Sequence, residues 1–180
     1  MEIRQATNFL EVLELQKILD SKIKSSRERD LTDIKLSIIA EIIEFNEECE
    51  KDTHKTWKTK NKVFTLEKAK KEAIDILFFI AQLVNRFSKD KEIIREVVDC
   101  FGVMATLDLV VNIDLKVETM WLIKCISHSR LAWKIEDWTR IIESLNKIYF
   151  KLGMTEEEIY KRHFEKWKEN YHDRVGKEWN

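Results

Sequence analysis

No proline interrupts this chain at any point, and only three glycines, Gly102, Gly153 and Gly176, stand among its 180 residues. Average usage would supply roughly 9 prolines and 13 glycines. Sandwiches, barrels and doubly wound α/β folds need many tight turns, and the residues that make such turns are missing. The same scarcity removes the glycine-rich loops with which many nucleotide-binding proteins cradle phosphates. What remains is a helical fold.

Helical periodicity fills most of the chain. Phe9, Leu10, Leu13, Ile18 and Leu19 recur at helical spacing. Asp33 is placed to cap a second helix that runs to about Lys51. Thr65 starts a third that ends near Arg86, and Ser88 is placed to cap a fourth. Two more helices fit residues 116–134 and 137–152. Gly153 is a helix stop, and Thr155 with Glu158 forms a capping-box pattern for a last helix. Residues 24–32 and 52–65 are polar and read as connections, while 102–114 fits a short strand, a helix or an irregular crossover. No repeat and no break in composition divides the chain. The expectation is one all-α domain over residues 1–180, a helical bundle with a four-helix core that carries a carboxylate metal site.

Charge and cysteine usage narrow the setting. Lys and Arg number 32 against 33 Asp and Glu, a balance that speaks against bulk electrostatic binding to nucleic acid or membrane. No run of apolar residues is long enough to span a bilayer. The start, MEIRQATNFLEVLELQ, has neither the basic beginning nor the apolar run of a signal peptide. Cys49, Cys100 and Cys125 are widely spaced with no CxxC pair, so neither a zinc site nor a disulfide framework is expected. A reducing cytoplasm is the expected compartment.

The chemistry is carried by acids in unusual places. In SIIAEIIEFNEECE, Glu41, Glu44 and Glu48 fall within about 60° of one another on a helical wheel, beside Ile38, Ile42 and Phe45. From Ala73 to Val84 the only polar residues are Asp75 and Gln82. Such a helix is normally buried, and Glu72 and Asp75, three apart, share one of its faces. Ionised carboxylates beside a core are costly unless something compensates them. A divalent cation does so, and oxygen ligands without His or Cys select Mg²⁺ or Mn²⁺. Mg²⁺ keeps positions open for water and phosphate oxygens, which points to chemistry on a phosphate ester or anhydride.

The pair Glu41-Ile42-Ile43-Glu44 and Glu72-Ala73-Ile74-Asp75 resembles the ExxE…ExxD signature of the all-α nucleotide pyrophosphohydrolases, the superfamily of MazG-type enzymes and dimeric dUTPases. Four segments resemble the dimeric dUTPase branch: LELQKILD, KTWK, EAIDILFF and the tail IYKRHFEKWKENYHDRVGKEW. Phe78 stands where that family often has His, and Trp167 stands where it has Asn after the tail lysine. The resemblance implies a homodimer that hydrolyses dUTP, and also dUDP, to dUMP. It implies Mg²⁺ held by Glu41, Glu44, Glu72 and Asp75, with Glu44 or Glu48 orienting or deprotonating the attacking water. Gln16, Asp20 and Trp57 match segments that contact the nucleoside, and Lys166, Asn170 and Arg174 match the tail that grips phosphates. Two other readings compete. One is a MazG-like pyrophosphohydrolase with another nucleotide preference; the other is a helical interaction module without catalysis.

Overall fold

The computed structural model describes residues 3–24, 27–49, 63–86, 91–102, 113–128 and 135–175. Among these residues run seven helices and no strand. They are α1 (Phe9–Lys22), α2 (Leu31–Glu48), α3 (Leu66–Arg86), α4 (Lys91–Cys100), α5 (Leu115–His128), α6 (Ile135–Lys151) and α7 (Glu156–Arg174). The all-α expectation holds. Ser88, most of the 102–114 stretch and the 129–134 end of the fifth predicted helix lie outside the described residues.

Helix ends follow local chemistry. The Asn8 side chain accepts from Glu11 N at the start of α1. The predicted cap of α2 is corrected: Asp30 is the cap, and Asp33 is its partner inside the first turn, each carboxylate accepting from the other's backbone N–H. Both are Asp in a DxxD pattern, so the residue type alone does not tell the cap from its partner. At the end of α6, Gly153 takes φ +65°, with Gly153 N donating to Phe150 O and Met154 N to Tyr149 O. This is the left-handed stop that glycine permits. At α7, Thr155 caps Glu158 N, and Glu158 turns its carboxylate to Lys70 and Arg162.

α3 is the hub. It packs on α1, α2, α6 and α7, which is why its middle is apolar on every side. α4 and α5 pack on α6, and α5 also meets α2. Three polar pegs fix α3 and α7 against their neighbours. Tyr149 Oη donates to Ala73 O (3.2 Å), Asn85 Nδ2 to Leu13 O (2.9 Å) and Trp167 Nε1 to Leu15 O (2.8 Å). Each peg contributes about 1 kcal/mol, less than one fully buried Leu or Phe at about 1.5–3 kcal/mol. The core therefore supplies cohesion and the pegs supply register. Trp167 is buried and stacks between Phe164 and Tyr171, with centroids at 6.1 and 5.0 Å. It holds α7 to α1 and so places the residues on either side of it.

Candidate active site

α2 supplies Glu41 and α3 supplies Glu72 and Asp75. Because α2 packs on α3, one carboxylate oxygen from each of the three lies within 4.8 Å of the others. Asp75 is buried, and the two glutamates are half-buried. Burial, followed by the charges of Asp75, Glu44 and Glu72, pushes Glu41 up to about 7. Glu72 is raised by burial and then by Asp75 and Glu44. Asp75 is raised by burial even though Lys166 pulls it down. Three crowded carboxylates that resist ionisation are a site short of positive charge.

Lys166, from α7, is the cation bonded to the site, and Lys71 adds its charge to Glu72 and Asp75. Its ammonium lies 2.8 Å from Asp75 Oδ2, as a hydrogen bond, and 2.7 Å from Oδ1, without hydrogen-bond geometry. Asp75 Oδ1 is buried and accepts no hydrogen bond among the described residues. That oxygen is in ion-pair contact with Lys166 but accepts no hydrogen bond, and together with the two further carboxylates, with no His or Cys in the group, it fits a hard divalent cation.

The other predicted residues fall as follows. Glu44 is exposed at the rim, and its charge acts on Glu41 and Glu72. Glu48 is one turn further along α2 and half-buried. Gln16, Lys166, Asn170 and Arg174 line one cleft with Glu41 and Asp75, walled by Phe78 and Phe79. Asp20 stands at its side, hydrogen-bonded to Gln16. Trp57 lies outside the described residues. The cleft has a volume of about 40 Å³, room for a few water molecules.

Three residues were not singled out from the sequence as parts of the site. Gln82 lines the cleft and donates to Asp20 Oδ1 at 2.6 Å. Its signal was readable, as the second polar residue in the apolar run of α3. Arg29 donates to Gln82 Oε1 at 3.1 Å and lies over the Phe79 ring at 5.1 Å. His163 is fully buried and stacks on Phe78 at 4.6 Å, and burial holds it neutral, its pKa pushed down to about 3. Asp20 is hemmed in by the two glutamines. Burial raises its pKa, while the Gln16 and Gln82 amides and the charges of Arg29 and Arg86 pull the other way.

A family model described as dUTPase matches residues 8–178, nearly the whole chain. No curated protein matches it.

Proposed function

The chain belongs to the dUTPase family, and from that premise we propose a Mg²⁺-dependent dUTP diphosphatase that also accepts dUDP. The family reaction, hydrolysis of dUTP to dUMP, is the part carried by membership. The metal requirement rests on one observation, the Glu41–Glu72–Asp75 cluster with its raised pKa values. Those three residues, joined by Glu44 from the rim, would hold Mg²⁺, with Mn²⁺ as a substitute. The bound cation supplies neutralisation of phosphate charge as a water attacks phosphorus in line.

The protein's own groups do the rest. Glu44 or Glu48 orients the attacking water and takes its proton. Gln16, Asp20 and Trp57 hold the deoxyuridine. Lys166, Asn170 and Arg174 bind the phosphates, with Lys166 leaving Asp75 to do so. A nucleotide needs several times the present cleft volume. Lys166 and Arg174, long side chains among the lining residues, are the groups able to swing away.

We read the chain as a single domain that works as a homodimer in the cytoplasm. Support for the dimer is an apolar surface on two helices that pack together: Leu36 and Ile43 of α2, and Val117, Met120 and Trp121 of α5, are exposed. Cys49, Cys100 and Cys125 form no disulfide among the described residues, which suits a reducing compartment. No described helix is long and apolar enough to cross a membrane, and neither membrane nor nucleic acid is proposed as a partner.

The test is a panel of deoxy- and ribonucleoside triphosphates with Mg²⁺, read by pyrophosphate release. Release from dUTP in preference to the others is expected. Release from none would remove the enzyme class, and release from the others but not dUTP would leave a MazG-like preference in its place.

A further inference from the structure

A chain of side chains joins the loop before α2 to α3 and then to α1, and each link has a fixed polarity. Arg29 can only donate, and its Nη1 meets Gln82 Oε1 at 3.1 Å. That turns the other end of the Gln82 amide, Nε2, onto Asp20 Oδ1 at 2.6 Å. An ionised carboxylate can only accept. Gln16 must therefore also present its Nε2 to Asp20 Oδ1, which it does at 2.8 Å. Its Oε1 is left over. That oxygen is buried and has no hydrogen-bond partner among the described residues, and Gln16 lines the cleft beside Asp75, Phe78 and Phe79.

We infer that Arg29 and Gln82 are positioning residues that lock the Gln16 amide with its carbonyl toward the ligand, so that the cleft selects a base carrying a ring N–H donor. The inference rests on the reading of this cleft as the nucleotide site. Uracil and thymine carry a hydrogen on ring N3, and cytosine carries a lone pair there. Against cytosine, a buried acceptor faces another acceptor, and neither is satisfied. Amides usually pose an ambiguity, since either end can face a ligand. Here the donor-only guanidinium at one end of the chain and the acceptor-only carboxylate in its middle remove it.

Arg29 is itself held firmly. Its Nη2 donates to Asp33 O (3.3 Å) and to Ser37 Oγ, and Phe79, a wall of the cleft, lies beneath it. Gln82 and Arg29 are thus tied to the same aromatic wall that the base would touch. Removing either frees Asp20 to turn toward solvent and lets Gln16 rotate to offer its NH₂.

The experiment is calorimetric binding of dUMP, dCMP and N3-methyl-dUMP to wild type, Gln82→Leu and Arg29→Met, with folding checked by circular dichroism. Wild type is expected to prefer dUMP to each of the others by about tenfold or more, the value of one hydrogen bond and one avoided orphan. In both variants the dUMP-to-dCMP ratio is expected to fall toward one. A variant that merely loosens the fold would weaken both nucleotides alike and leave the ratio intact. Wild-type ratios retained in folded Gln82→Leu and Arg29→Met would overturn the inference, as would a wild type that prefers dCMP. If wild type hydrolyses nothing yet shows the expected ratios, the hydrolase reading fails and this one stands.

Discussion

α3 and α7 meet at two polar clusters with different charge balance. Near the start of both helices, Lys70 bonds Glu158 at 2.8 and 3.1 Å. Arg162 bonds the same Glu158 and Glu67, each at 2.8 Å. Two cations there meet two acids. Further along, Lys166 is bonded to Asp75, and with Lys71, which acts by its charge on Glu72 and Asp75, it faces four acids, Asp75, Glu72, Glu41 and Glu44. The acids respond in opposite directions. Burial pushes Glu158 up, but Lys70 and Arg162 outweigh it and its pKa falls. Burial pushes Asp75 up, and Lys166 does not bring it back. The first cluster is a balanced clamp between helices. The second is left short of positive charge, which is what a cation site requires and what a structural ion network avoids.

The largest effect that distinguishes the two belongs to the acids. Glu72→Gln is expected to lower kcat by about 10³-fold, since a metal's charge stabilisation is worth several kcal/mol. It should also abolish the rise in melting temperature on adding Mg²⁺ while leaving the helical signal unchanged. A Glu72→Gln protein that still gains stability from Mg²⁺ would erase the contrast drawn between the clusters.

Next in size is pH. Glu41 sits at about 7 in the folded chain against an ordinary value of 4.5. Between those values the folded state binds more protons than the unfolded one, so metal-free stability falls as pH rises through this window. Asp33, lowered to about 2 chiefly by its bond from Arg27, acts oppositely, losing its contribution as pH falls below the ordinary 3.8. Comparing wild type with Glu41→Gln isolates the first effect: the melting-temperature difference should move against wild type between pH 5 and 8. Mg²⁺ affinity should climb over the same range, by up to about tenfold per unit below 7, because binding displaces a proton. Parallel pH curves for the two proteins would show that Glu41 is not strained in the metal-free chain.

How much of this was readable beforehand depends on where the partner lies in the chain. Glu72 and Asp75 stand out because everything around them is apolar, and the signature they form with Glu41 and Glu44 needs only local spacing. The helices were readable for the same reason. Gln82 was visible as a polar residue in that run, but its role was not, since Arg29 and Asp20 lie 53 and 62 positions away. Lys166 and Asp75 are 91 apart, and no periodicity joins them. Two departures from the family pattern acquire physical reasons. Trp167, where Asn is usual, ties α7 to Leu15 O. Phe78, where the resemblance leads one to expect His, stacks on His163 of α7.

A smaller effect is expected at Lys166. Its ammonium occupies Asp75 in the metal-free chain, so Lys166→Met removes a competitor and a repelling charge together. Mg²⁺ binding measured without nucleotide should tighten by about 3- to 10-fold, the size of one charge-assisted contact. The KM for dUTP should rise, because the same lysine is proposed to bind the phosphates. Weaker Mg²⁺ binding in Lys166→Met would mean that the lysine organises the acids for the metal rather than competing with it.

The smallest effect on the site belongs to the other end of the same helix pair. Lys70→Met removes a buried ammonium from Glu158, which keeps its bond from Arg162. The expected cost is about 1–2 kcal/mol of stability, below that of a fully buried broken pair because Glu158 retains a partner and some solvent. Mg²⁺ affinity and the dUTP-to-dCTP ratio should not move. Lys70 and Lys166 are both lysines bonded to an acid across the α3–α7 contact, so local chemistry alone predicts the same outcome for both. Only charge balance separates them: at Glu158 the lysine completes a neutral cluster, and at Asp75 it stands in for charge that is still missing. A shift in Mg²⁺ affinity for Lys70→Met equal to that for Lys166→Met would mean that the two clusters form one electrostatic unit along α3.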